Sequence, residues 1–291
     1  MSSRKGDPKM ILITGATGNN GSELIKALSG SGVAIRGMVR KQPADNALAR
    51  LEFVTADFDD LSSIRRALDG VDRVFLTTNS SERVEAQQLG FVEQARAAGV
   101  RQIVYLSQLH AAKNSPVRFL HYHAVVEDAI SASGMAFTHL RPNLYMQGLL
   151  GFRSSIASEG RFFAPAGDAA VSVVDVRDIA AVAAAALTRN GHEGKTYDIT
   201  GPEALTHTEI ASQFSAVSGK EVTFVDVPEA AMRDVLLGFG IPKWQADGLI
   251  EDYAHYRRGE ASAVSTVVED VTRHRARSFR DFAADYRQAF L

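Results

Sequence analysis

Short runs of β-branched and apolar residues alternate with amphipathic stretches along the first half of the chain. The runs near Met10–Thr14, Val33–Val39, Glu52–Val54, Arg73–Leu76, Gln102–Leu106 and Ala136–Leu140 predict strands. Between them, apolar positions at helical spacing predict helices over Ser22–Leu28, Leu61–Leu68, Val84–Ala98 and Ala124–Ser133. Gly30, Gly70, Gly99 and Gly134 stand just past those helices, where a C-terminal stop is expected. This alternation builds βαβ units, and their right-handed crossovers give a doubly wound parallel sheet with helices on both faces, an α/β fold.

The second half is less regular. Gly148–Gly167 reads as loop and short helix, and Val171–Val176 as a strand, with Asp178 as N-cap of an alanine-rich helix to Leu187. Thr196–Ile199 predicts a further strand, Gly201-Pro202 a turn, Thr208–Ser218 a helix, and Pro228–Leu291 a mostly helical tail. No Pro/Gly-rich linker separates the halves. Residues 1–150 are therefore expected to form the main domain, and 151–291 a smaller α/β substrate or cap lobe partly interleaved with its sheet, with the ligand site in the cleft between them.

Composition narrows the function. With 291 residues, 45% hydrophobic and 23% charged, the chain can bury a full core. A net charge of −2 gives no global field to recruit nucleic acid or an anionic membrane. The absence of cysteine excludes disulfides, thiolate nucleophiles and Fe–S clusters. The longest apolar run, Ile179–Leu187, is too short to cross a bilayer, which takes about 20 residues. Met1–Pro8 lacks the apolar core of a secretion signal, so a soluble cytoplasmic protein is expected.

The strongest chemical signal follows the first strand. Gly15-Ala16-Thr17-Gly18-Asn19-Asn20-Gly21 places three glycines at a spacing of three between a buried strand and a helix. The first permits the turn, the second lets backbone approach a pyrophosphate, and the third lets helix pack close to strand, as in a Rossmann nucleotide site. Thr17, Asn19 and Asn20 can add hydrogen bonds. After the second strand stand Arg40 and Lys41, with no acid before Asp45, which favours the 2′-phosphate of NADP(H) over the free ribose of NAD. Asp57 can accept from the adenine amino group while Phe58 packs on the ring; equally, Asp57 can cap a turn. Thr77, Thr78 and Asn79, after the fourth strand, would lie along the ribose and pyrophosphate. Ser107, ending the fifth strand, faces the nicotinamide end and can bond a substrate oxygen or the cofactor, or simply close a turn. Tyr145 and Met146, after the sixth strand, line a substrate pocket or belong to the core.

The turn, Arg40 and Ala56-Asp57 resemble the short-chain dehydrogenase/reductase superfamily. Val104–Ser107, Leu140–Met146, Val173–Ala180, Tyr197–Pro202 and Arg277–Phe282 look like its atypical NmrA-like branch. The resemblance implies a Rossmann fold, an NADP(H) cofactor, and contacts from Pro142, Asn143 and Leu144 to the nicotinamide ribose and carboxamide. The branch holds NADPH-dependent quinone and dye reductases as well as NADP-binding redox sensors without obvious turnover.

Ordinary members of the superfamily pair a tyrosine with a lysine four residues on, so that the phenol can exchange a proton near neutrality. Here the residues four beyond Tyr105, Tyr122, Tyr145, Tyr197, Tyr253, Tyr256 and Tyr286 are Leu109, Val126, Leu149, Gly201, Arg257, Glu260 and Phe290. No pair exists. The resemblance aligns His123 with the lysine position and Phe119 with the tyrosine. His123 could supply a proton or contact the ribose, or be a helix residue without a catalytic role. Among His110, His121, His123 and His139 no metal site is expected, since His121 and His123 lie ~200° apart around a helix. The basic stretch Arg273–Arg280 is flanked by acids and reads as solvated surface.

The expected function is an NADPH-dependent oxidoreductase that transfers hydride to a quinone-like or other conjugated, electron-poor small molecule, with His123, Ser107 and Tyr145 at the reacting end. The alternative is a non-catalytic NADP(H) sensor acting through a regulatory protein partner. A homodimer is left open.

Overall fold

A computed structural model of the chain describes residues 10–43 and 50–291. Nine strands are found among them: β1 Ile11–Ile13, β2 Ile35–Val39, β3 Leu51–Thr55, β4 Arg73–Leu76, β5 Gln102–Leu106, β6 Ala136–Pro142, β7 Arg161–Ala164, β8 Lys195–Ile199 and β9 Thr223–Asp226. Seven of these form one parallel sheet in the order β3-β2-β1-β4-β5-β6-β8. The direction of winding reverses between β1 and β4, which opens a crevice at their carboxyl ends, the place where such sheets bind ligands.

Helices α1 Asn19–Leu28, α6 Val176–Thr188 and α10 Val267–Thr272 cover one face. The other is covered by α2 Leu61–Ala67, α3 Val84–Ala97 and α4 Arg118–Ala132. Alternation along each strand divides the core: Ile11 and Ile13 face the first layer and Leu12 the second, as do Val104 and Leu106 against Ile103 and Tyr105. Because both faces are buried, these strands read as unbroken apolar runs rather than half-polar ones.

The chain crosses the expected boundary at residue 150, since α6 and β8 belong to the large sheet and its helical layer. The rest of the second half builds a smaller lobe around the parallel pair β7–β9, with α5 Arg153–Glu159, α7 His207–Ser218, α8 Glu229–Gly238, α9 Lys243–Arg257 and α11 Phe279–Asp285. Its core is aromatic: Phe162, Phe214, Phe279, Phe282 and Phe290 are all buried. A further cluster joins the lobe to α4, where Phe119 and Tyr122 pack against Trp244 at 5.4 and 6.2 Å between ring centres.

Four expectations are corrected. Val171–Val176 is not a strand: Val171 bridges Leu205 and Val174 bridges Tyr145 singly, because no neighbouring strand runs beside the segment. The cap of α6 is Asp175, whose extended backbone lets its carboxylate accept from Arg177 N, while Asp178 lies buried in the first turn and binds Arg277. Helix α4 starts at Arg118 rather than Ala124, since Phe119, Leu120 and Tyr122 are core residues. After α1 the left-handed glycine is Gly32 rather than Gly30.

Candidate functional site: a dinucleotide cradle

The carboxyl ends of β1 and β4 are stapled by Thr14, whose Oγ1 donates to Thr77 O at 2.7 Å and accepts from Thr77 N at 2.8 Å. The chain then turns at Gly15 with φ +58°, a left-handed conformation that glycine adopts without penalty. A Cβ on Gly21 would lie 2.2 Å from Gly15 O, and one on Gly18 3.3 Å from the same atom. Gly21 therefore admits no side chain and Gly18 only with a small shift of its neighbour, and α1 begins at Asn19 with its first N–H groups at the crevice. Gly18, its cap, offers no side-chain acceptor to them. Ala16 is buried, while Thr17 and Asn19 are exposed at the mouth. Asn20 lies against the Tyr145 hydroxyl, yet its Oδ1 is buried without a partner. A shaped glycine cradle beside an orphaned acceptor fits a ligand rich in phosphate oxygens and hydroxyl donors.

Beside the turn, Gly37 of β2 has no room for a side chain: a Cβ would reach the Phe53 ring at 2.7 Å and Ala16 Cβ at 3.0 Å. Arg40 and Lys41 are exposed and make no hydrogen bond or ion pair with a described residue. Asp45 lies outside the described residues. One oxygen of Asp57 accepts from Asp59 N at 2.9 Å, so Asp57 does cap its turn, with the other oxygen free of described partners. Phe58 packs on Phe91 at 5.5 Å.

Between β4, β5 and α4, side chains are bonded in series. Gln88 Nε2 donates to Thr78 Oγ1, Tyr105 OH donates to Gln88 Oε1, and Tyr105 OH meets His123 Nδ1, each at 2.7 Å. With the phenol proton directed to Gln88, Nδ1 of His123 must carry the proton, which leaves Nε2 as an acceptor with no described partner. Burial, reinforced by the nearby Arg141 cation, lowers the His123 pKa to about 3. The imidazole is thus neutral near pH 7 and cannot act there as an imidazolium acid. Glu127, four residues on, forms a two-pronged pair with Arg141 at 2.9 and 2.5 Å. Burial likewise pushes the Tyr105 phenol well up and Tyr145 to about 12.

Ser107 at the end of β5 is buried, and its Oγ has no partner. Asn143 is bound to scaffold instead: Nδ2 donates to Ser172 Oγ and Ala261 O at 2.8 Å each, and Oδ1 accepts from Leu144 N at 2.9 Å. Pro142 O accepts from Leu109 N, and Leu144 O from Val174 N, both at 2.9 Å. The Asn143 N–H is also taken, by Ile199 O at 3.1 Å, so any contact from Asn143 to a ligand falls to its carbonyl. Met146 is fully buried in the core of the small lobe. Among the described residues no cluster of three or more His, Asp or Glu could hold a metal. His121 bonds Lys113 O, and His139 bonds Ser131 Oγ from within β6. No helix of the described residues is long and apolar enough to cross a membrane.

The structure joins Thr78 to His123 through Gln88 and Tyr105, and sets Asn20 against Tyr145 on the opposite face of the sheet, while Ser107 bonds to neither group and stands at the end of β5. Sequence reasoning missed Gln88 and Tyr105, which orient His123, because each looked like an ordinary helix or strand residue. It also missed Asp252, to which Gln108 bonds across the two lobes at 3.0 Å.

A glycine cradle at the switch point of a parallel sheet, with unpartnered polar groups along it, is the architecture of a Rossmann dinucleotide-binding protein. The chain belongs to the NmrA-like family, whose model matches residues 7–282. It is 34% identical over 287 residues to an NAD(P)H azoreductase of Xenophilus azovorans, spanning 97% of this chain and 99% of that protein. It is 36% identical over 283 residues to a (4-alkanoyl-5-oxo-2,5-dihydrofuran-3-yl)methyl phosphate reductase of Streptomyces griseus, with coverage of 97% and 99%. Among solved structures, an NADPH-dependent quinone oxidoreductase from Escherichia coli complexed with NADPH superposes with a TM-score of 0.85 at 30% identity, over 95% of this chain and 99% of that one.

Proposed function

We propose that this protein is an NADPH-dependent reductase of quinone-like, azo or other conjugated, electron-poor small molecules. The observation that carries the cofactor is the cradle itself, where any Cβ on Gly21 strikes Gly15 O while Asn20 Oδ1 waits unpaired beside it. In this reading the Gly15–Gly21 backbone, with Thr17, Asn19 and Asn20, holds the pyrophosphate. Arg40 grips the 2′-phosphate with Lys41 adding charge, and Asp57 and Phe58 face the adenine. Thr77, Thr78 and Asn79 follow the ribose, His123 Nε2 accepts from a ribose hydroxyl, and the Asn143 carbonyl, between Pro142 and Leu144, meets the carboxamide. Ser107 and Tyr145 face the substrate. When bound, the reduced nicotinamide supplies hydride.

The substrate class follows from the phenols. Tyr105, Tyr122 and Tyr145 are all pushed up by burial, so none is poised to give a proton near neutrality. Simple ketones, which build full alkoxide charge, would lean hardest on a phenol proton and are poorly served by these tyrosines; electron-deficient acceptors lean on it least. The relatives named as azo and quinone reductases support the same reading. Purified protein mixed with NADPH and a panel of quinones, azo compounds and cationic dyes should consume the reduced cofactor, followed by its absorbance. Tight NADPH binding without consumption across the panel would overturn the reductase and favour a sensor working through a protein partner.

A further inference from the structure

Helix α9 carries a carboxyl group that the reading above leaves without a role. Asp252 is only 7% exposed. Its Oδ1 accepts from Gln108 Nε2 at 3.0 Å, and Oδ2 bonds no described residue. Gln108 directly follows Ser107 at the carboxyl end of β5, so this contact draws the carboxyl from the small lobe to the rim where ligands bind. Tyr122 of α4 faces it, its ring tilted against His123 at 4.1 Å between centres and within hydrogen-bonding reach of Ser80 at 3.4 Å, just past Asn79. Tyr122 also senses Tyr145, the residue that lies against Asn20 in the cradle. Asp252 thus sits in a cluster that runs back to the glycine turn.

The groups around it favour a stored proton. Tyr253 and Tyr256 from its own helix, Tyr122 from α4 and Gln108 from the loop are neutral, and Glu251 beside it is acidic. The Arg118 guanidinium is bonded to Glu251 rather than to Asp252. Burial, with the Glu251 charge adding to it and the Gln108 bond opposing, raises the carboxyl to about 7.

We propose that Asp252 is the proton donor of the site, its Oδ2–H bond breaking as a new O–H or N–H bond forms on the acceptor atom that gains negative charge. The proposal rests on the reductase reading. Reduction of a quinone to a hydroquinone takes two electrons and two protons. Hydride from the reduced nicotinamide brings the electron pair and one proton, Asp252 gives the other, and the carboxylate left behind regains a proton from water. An azo group reduced to a hydrazo group has the same balance. A cationic triphenylmethane dye differs, because hydride adds to its central carbon and the product is already neutral, so no proton is required.

That difference supplies the test. In Asp252→Asn the ratio of quinone to cationic-dye turnover should fall by ~10²-fold or more, the range expected for loss of a general acid, whereas a merely structural role would lower both rates together. Wild-type quinone turnover should decline as pH rises through about 7, and this limb should vanish in the variant. Gln108→Leu removes a bond that favours the carboxylate, so it should move the limb to higher pH, and it serves if Asp252→Asn fails to fold. An infrared titration of the full-length protein, without cofactor, should show a protonated-carboxyl band that disappears near neutrality and is missing from Asp252→Asn. An unchanged turnover ratio, or a band lost only at acid pH, overturns the proposal. Failure of wild-type protein to reduce any acceptor is instead the failure of the reductase reading, and the infrared titration still reports on Asp252.

Discussion

At the turn after β1, recognition is shaped by atoms that are missing. Gly15, Gly18 and Gly21 close on one another to within van der Waals contact, and a single methyl on Gly21 would meet a backbone oxygen at 2.2 Å. At the other end of the crevice, shape comes from side chains that hold one another: Thr78, Gln88, Tyr105 and His123 are linked by successive bonds of 2.7 Å. The first device tolerates no added volume but has no titrating group. The second tolerates changes of size better than changes of polarity, since each member leaves its neighbour unpaired when it is lost. One cofactor would be gripped by rigid backbone at its phosphates and by a polar series at its reacting ring.

The comparison can be broken most sharply at the turn. Gly21→Ala should weaken NADPH binding by on the order of 100-fold, because relieving such an overlap costs ~1–3 kcal/mol of backbone movement or more; calorimetry on folded variant would show it, and near-normal affinity would mean that the turn is not the phosphate site. Arg40→Ala should weaken NADPH by roughly 10–100-fold, the worth of charge-assisted hydrogen bonds, and leave NADH unchanged. Equal losses for both cofactors would remove the 2′-phosphate role. Tyr105→Phe should leave binding of an adenine-end fragment such as 2′,5′-ADP unaltered while lowering unfolding free energy by ~1–3 kcal/mol, because Gln88 Oε1 and His123 Nδ1 lose their buried partner. Denaturant titration checks the second half of that expectation. A last effect shows only in acid. His123 has its pKa lowered to about 3 in the folded chain, against an ordinary 6.5, so the stability it contributes is complete above pH 6.5 and drains away as pH falls towards 3. His123→Gln should flatten that part of the wild-type stability profile.

Much of the large sheet was legible because period and punctuation agree there. β1 to β6 fall within a residue or two of their apolar runs, and the glycine turn sits at the junction its mechanism demands. β7 and β9 were not legible. Each is a four-residue strand with a single neighbour, and a pattern that short carries no periodic signal. The candidate site divides the same way. The local motif was legible as structure, with Gly15 to Gly21 forming the turn between β1 and α1 and Arg40 directly following β2, whereas partnerships between distant segments were invisible. Asn143 looks like a ligand contact until Ser172 and Ala261 take its amide, and Asp252 looks like a surface acid until Gln108, far away in the chain, bonds it.

β8 is the outermost strand of the main sheet, yet it is encoded after the helices and loops that begin the second lobe. During synthesis β6 must therefore wait with its backbone donors and acceptors open until residues 195–199 arrive. A chain cut after residue 150 would expose that rim permanently and invite stacking with its own kind. The two lobes are consequently poor candidates for separate expression or for exchange between relatives, and a cut that yields a well-behaved nucleotide-binding fragment must retain the stretch through Ile199.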